Sequence, residues 1–187
     1  MQRTKLVSAK RLTIMLALAA GLAGCADDAP LATEPAPVAA AQFAAIGAPA
    51  LNDAIATLQR VTAPYHNIEA AFADGFVLLH PCEERPDEGP VGTVYVHFAR
   101  LLDGVIDPAL PDALIYEPGR NGQQKLVGVE FAIPYPMWTE PAPPTFMGAT
   151  FQPEDEFGVF ALHAWVWRSN PEGMFAESNP RVSCGQE

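Results

Sequence analysis

Residues 125–134 read KLVGVEFAIP and residues 157–167 read FGVFALHAWVW. Both are rich in β-branched and aromatic side chains, and turn residues bound them, so they predict strands over 126–133 and 157–167. Three further runs, 76–79, 91–98 and 113–116, have the same character. Alternation along 126–133 places Val127, Val129, Phe131 and Ile133 on one face. Leu126, Gly128, Glu130 and Ala132 fall on the other. The loop Gly119-Arg120-Asn121-Gly122 reads as a hairpin connection between the third and fourth runs.

Before the first strand the rhythm is different. Leu51, Ile55, Leu58, Val61, Tyr65, Ile68 and Phe72 recur at three and four, which is one face of a helix. Asn52 or Asp53 is placed to cap its start. Pro64 lacks the amide for a bond to Arg60, so a kink or two abutting helices is expected there. Asp74-Gly75 marks the end. The fold class is therefore α+β, an N-terminal helix or helix pair packed on an antiparallel sheet, flat or curled toward a barrel. Residues 134–156 hold six prolines and no clear pattern, as in a lid or binding loop.

The 187 residues suffice for one such domain, at 51–187, plus an extension. Hydrophobic residues make up 49%, enough for a core. Eleven Lys and Arg face 22 Asp and Glu, a net charge of −11, which argues against nucleic acid as a partner. Residues 1–24 carry Arg3, Lys5, Lys10 and Arg11, no acid, and then an apolar run too short to span a bilayer. That order is a secretory signal. It ends in Leu22-Ala23-Gly24-Cys25, which looks like a bacterial lipobox with Cys25 as the lipidated residue. Each buried methylene of an acyl anchor adds roughly 0.8 kcal/mol of membrane affinity. Residues 25–50, rich in Ala and Pro, read as a tether. The expected location is exported, lipid-anchored to the bacterial cell envelope, with the domain in the periplasm or outside the cell. Without residues 1–24, seven basic residues remain against 22 acidic ones, a net charge of −15. That charge favours divalent cations or cationic ligands.

With Cys25 lipidated, Cys82 and Cys184 remain, and in an oxidising compartment the simplest expectation is a disulfide. The alternative is Cys82 as a nucleophile beside His80. The turns at Asn170-Pro171-Glu172-Gly173 and Asn179-Pro180 would carry the C-terminal tail back toward Cys82.

Three histidines and one glutamate fall inside regular elements. His66 lies on the helix, His97 and His163 on strands, and Glu130 among small and apolar neighbours. A carboxylate buried there needs a pair, a hydrogen bond or a metal. His66, His97, Glu130 and His163 could hold a divalent transition metal (Zn, Fe, Mn or Cu) between the sheet and the helix. The donor types resemble those of cupin metalloproteins, but the spacing does not. The same four could instead line an unmetallated pocket, or be separately satisfied. His80, beside Pro81, is expected at the surface. Asp103, Asp107 and Asp112 are expected to cap and bend their turn-rich stretch. No GxSxG elbow and no phosphate-binding glycine loop occur.

The strings LLDGVIDPALPDALIYEP at 101–118, KLVGVEFAIP at 125–134 and HAWVWRSNPEGMFAESNPRVSC at 163–184 resemble motifs of a family of uncharacterised exported bacterial proteins. The resemblance spans roughly residues 58–184. It implies export and a single domain, and no established activity comes with it. Three functions are expected from all this: a membrane-tethered lipoprotein with a metal or small-ligand pocket, a metal-dependent enzyme using that pocket, or an envelope protein-interaction domain without a small ligand.

Overall fold

A computed structural model describes residues 48–82, 84–85 and 89–185 of the chain. Residues 1–24, read as a signal, Cys25 and nearly all of the segment read as a tether lie outside the described residues. Helix α1 spans Ala48–Thr62, so it begins inside the segment read as tether, and Asn52 and Asp53 lie within it rather than at its start. A 3-10 turn follows at Ala63–His66, with Pro64 at its head. Helix α2, Ile68–Asp74, is capped by Asn67 and ends where Gly75 turns left-handed at φ +104°. The predicted break and stop are thus both present. Among the described residues no helix is long and apolar enough to cross a membrane.

The sheet strands are β1 (Val77–His80), β4 (Thr93–Val96), β5 (Ala113–Pro118), β6 (Gln124–Pro134), β9 (Gln152–Glu154) and β10 (Val159–Ala164). Two small ribbons stand apart, β2 (Glu84–Arg85) with β3 (Gly89–Pro90), and β7 (Thr145–Phe146) with β8 (Ala149–Thr150). The six-stranded sheet is antiparallel in the order β1-β4-β5-β6-β10-β9. It is open, with β1 and β9 as its edges, and does not close into a barrel. Arg120–Gly122 make the β5–β6 turn, as expected.

Both faces of the sheet are covered, by different material. The face toward α1 and α2 packs Leu114, Tyr116, Phe131, Ile133 and Leu162 with Leu58 and Ala71 of the helices. The Tyr116 hydroxyl donates to the Tyr65 carbonyl at 2.7 Å. The proline-rich stretch joins this core through Met147 and Phe151, both fully buried. On the opposite face Val94, Ile115, Val127 and Trp165 pack with Val182 of the C-terminal tail.

Val127 corrects the alternation. Ile115 pairs with Gly128 but Tyr116 pairs with Leu126, so Val127 is an extra residue in β6. A bulge shifts side-chain parity by one. Leu126 therefore joins Val129, Phe131 and Ile133 on the helix face, while Val127 turns to the other. Cys82 and Cys184 form the expected disulfide, with 5.2 Å between their α-carbons. Cys82 is thereby no free nucleophile.

Candidate functional site

The register builds the site. Val77, Val96, Ala113, Glu130 and His163 pair successively across β1, β4, β5, β6 and β10. Directly paired residues share a face, so this row lies on the side away from α1 and α2. At the middle of the row Ala113 leaves space, and Ala132 widens it one pair further along. The result is a pocket of about 210 Å³. Leu79, Val96, Leu101 and Val159 form apolar walls. Phe98 and Phe157, 48% and 37% exposed, lie toward solvent.

Three polar groups converge in it. The His163 Nε2 lies 3.4 Å from a Glu130 carboxylate oxygen, with the two side chains 8% and 12% exposed. The His163 Nδ1 contacts the Glu177 carbonyl at 2.5 Å. A carbonyl only accepts, so Nδ1 carries a proton and Nε2 is the nitrogen that titrates. Burial pulls the His163 pKa down, but the hydrogen bond and charge of Glu130 and the Glu177 carbonyl outweigh it, and the net shift is upward. The stabilisation from this charged pair is therefore present below the ordinary histidine pKa and lost as pH rises through the raised value.

Asp112 is the third group. It is 1% exposed. One carboxyl oxygen accepts from the Ala132 amide at 2.9 Å. The other is buried and has no partner among the described residues. Burial drives its pKa well above the ordinary carboxylate range, and Asp103 and Glu130 add to the shift, while the Ala132 amide and Arg100 oppose it. An acid with a raised folded pKa favours folding most below its unfolded pKa and increasingly opposes it as pH climbs toward the folded value. Asp112→Asn removes that titration while keeping the shape. We expect its melting temperature to exceed the parent's by an amount that grows from pH 4 to pH 8. Between the unfolded and folded pKa the gain should grow by up to about 1.4 kcal/mol per pH unit. A gain independent of pH would show that Asp112 does not titrate in the fold.

Two groups complete the surroundings. Glu154 lines the pocket and its charge also raises the His163 pKa. His80, half-exposed beside Pro81, lines it too, and its ring stacks on Phe157 with centroids 5.7 Å apart and planes 15° apart. β1 is one edge of the sheet, and Phe157 sits in the turn between β9 and β10 at the other. This one ring pair bridges the two edges by the pocket.

The four proposed metal ligands do not assemble. Glu130 and His163 meet, as the sequence reading required. His97 does not join them. The strand ends at Val96, and His97 instead caps α3 (Phe98–Leu101). Its Nε2 donates to the Asp74 carbonyl at 3.0 Å, its Nδ1 accepts from the Arg100 amide at 3.3 Å, and its ring packs on Phe76. Both nitrogens are engaged, on the helix face. His66 lies on that face as well, edge-on to Trp167 at 4.4 Å. The sheet itself separates the two pairs. Among the described residues no group of three or more His, Cys, Asp or Glu is close enough to hold a metal ion.

Asp112 was the residue missed. Asp103 and Asp107 do bend their loop, accepting from the amides of Val105 and Ala109. Asp112 instead bonds across to β6. The one signal available was its place immediately before an apolar strand, where a carboxylate has few ways to reach water.

No protein-family profile, curated protein or solved structure matches the chain.

Proposed function

We propose that the chain is an exported lipoprotein, anchored in the bacterial envelope through lipid on Cys25, whose domain binds a small molecule in the pocket holding Asp112, Glu130 and His163. The observation that carries the reading is the convergence of Asp112, Glu130 and His163 at one cavity with apolar walls, with one Asp112 oxygen buried and without a partner among the described residues. A buried polar atom without a partner is costly, and a small apolar pocket with a few convergent polar groups is the usual form of a ligand site. The signal-like residues 1–24, the lipobox and the tether support the anchoring. The disulfide is consistent with an oxidising compartment.

The test uses the full chain, expressed in a bacterium and extracted in mild detergent. Native mass spectrometry should show a bound small molecule or, after its removal, a small-molecule library should raise the melting temperature. Ala132→Leu, which fills the pocket, should abolish both. A protein that binds nothing, and whose Ala132→Leu variant is indistinguishable in the assay, would overturn the reading. Fatty-acid labelling lost in Cys25→Ser tests the anchor separately. The fixed tautomer of His163 favours a second reading, proton transfer on the bound molecule with Nε2 as the base. It would show as turnover of that molecule, lost in His163→Gln.

A further inference from the structure

The polar groups at the cavity are engaged or enclosed. His163 and Glu130 hold each other. Asp112 is buried, and its oxygen without a partner is buried too, so it offers a ligand almost no surface. Glu154 makes an interaction of its own. A ligand ammonium would therefore compete for a carboxylate that is already engaged. No Lys or Arg lines the cavity among the described residues. A ligand carboxylate would find only His163, held by Glu130, and the half-exposed His80. Taking an ion of either sign out of water without a counter-charge is costly.

The surface that a molecule would touch is apolar. Leu79, Leu101 and Val159 stand on its walls, and the exposed rings of Phe98 and Phe157 lie toward solvent. Val77 extends the same face outward, since it pairs with Val96 and is exposed. Apolar side chains grouped around the opening of a cavity mark a surface that an apolar molecule covers. Size sets the body. An engineered cavity of about 150 Å³ with aliphatic and phenyl walls stays dry and takes up benzene, so 210 Å³ admits one six-membered ring with a short arm.

From these observations we infer that the ligand is an uncharged molecule with an apolar, ring-sized body, seated against Leu79, Leu101 and Val159 with Phe98 and Phe157 on its outer side. This deepens the pocket reading above and rests on it. Binding then draws on the release of water from apolar surface rather than on attraction between charges, so added salt does not weaken it.

The probes are toluene, benzylamine and benzoate, which share one ring and differ in charge at pH 7. Each is added to the full chain in mild detergent, freed of any co-purified molecule, and the melting temperature is followed. We expect toluene to raise it at a concentration at least about tenfold below that at which either ion gives the same rise. Detergent takes up toluene more readily than the ions, which works against this order. Added salt should leave the toluene response undiminished. Ala132→Leu should abolish that response, and Phe157→Ala, at the exposed rim where folding is least at risk, should weaken it several-fold. A response to either ion as strong as to toluene, or a charged molecule co-purifying in the pocket, would overturn the assignment and leave the pocket reading standing. A toluene response that persists in both variants would place the binding elsewhere and overturn it too. No response to any probe would overturn it as well, and in a protein that also purifies with nothing bound it would remove the pocket reading with it.

Discussion

Full reduction of the Cys82–Cys184 bond should lower the melting temperature by roughly 15 °C. The bond spans 102 residues of sequence. Closing a loop of that size restricts the unfolded chain by about 4–5 kcal/mol in the chain-entropy account. A domain of this size loses roughly 3–4 °C per kcal/mol. What the bond holds makes the full effect plausible. The tail it fixes carries Val182 into the core on the pocket side of the sheet. The Ser183 amide donates to Glu117, and the carbonyl of Arg181 accepts from Arg168. These contacts survive reduction only if the tail stays docked without its link. The measurement is a thermal melt of the parent with and without reductant, beside Cys82→Ala/Cys184→Ala. An unchanged transition with both thiols titratable would mean that the docked tail alone secures the C-terminus. It would also rule out cross-linking as a source of stability here.

Gly92→Ala should be nearly as damaging, at about 3 kcal/mol or more, or roughly ten degrees. Gly92 sits at φ +108°, just before β4. A β-carbon there would lie 2.8 Å from the Tyr116 carbonyl oxygen and 2.9 Å from a methyl carbon of Ile115. The first neighbour is backbone in the middle of the sheet and cannot step aside. Backbone strain of about 1–3 kcal/mol and overpacking of about 1–3 kcal/mol then act together. Gly122→Ala separates the two. It has φ +73° and nothing within 4 Å of the added carbon, so it carries the strain without the collision. Equal losses at the two positions would show that the collision is relieved and only the backbone term remains.

Much of the fold was legible in the sequence because it is decided locally. Pro64 breaks a helix wherever it falls in one, and Gly75 and the Arg120–Gly122 turn act over a few residues. The disulfide followed from three cysteines and a presumed compartment. The faces of β6 were half legible. Counting by twos holds from Val129 to Ile133, where pairing is regular, and fails at Leu126 and Val127. Nothing in the string KLVGVEF marks a bulge, because the extra residue is set by the strand beside it. His97 failed for a related reason. Alternation was carried one residue past the end of β4, where the chain had turned into α3. The site divides the same way. Glu130 and His163 each looked misplaced on their own strands, and that was readable. Their pairing depends on the β6–β10 register. The burial of Asp112 depends on an amide 20 residues away. Neither is a local property.

The strand order has a consequence for how the pocket opens. Its floor belongs to β5, β6 and β10, inside the sheet, where every strand is bonded on both sides. His80 and Phe157 belong to an edge strand and an edge turn. Amide exchange in a sheet is fastest at the margins and slowest at the centre, since interior strands separate only when the whole domain does. The margin can therefore unlatch and relatch many times within the life of one folded molecule, while the three acid–base groups keep their positions. A molecule that binds there, as proposed, would enter through a fluctuation of the rim, and would meet the chemistry of the floor already in place.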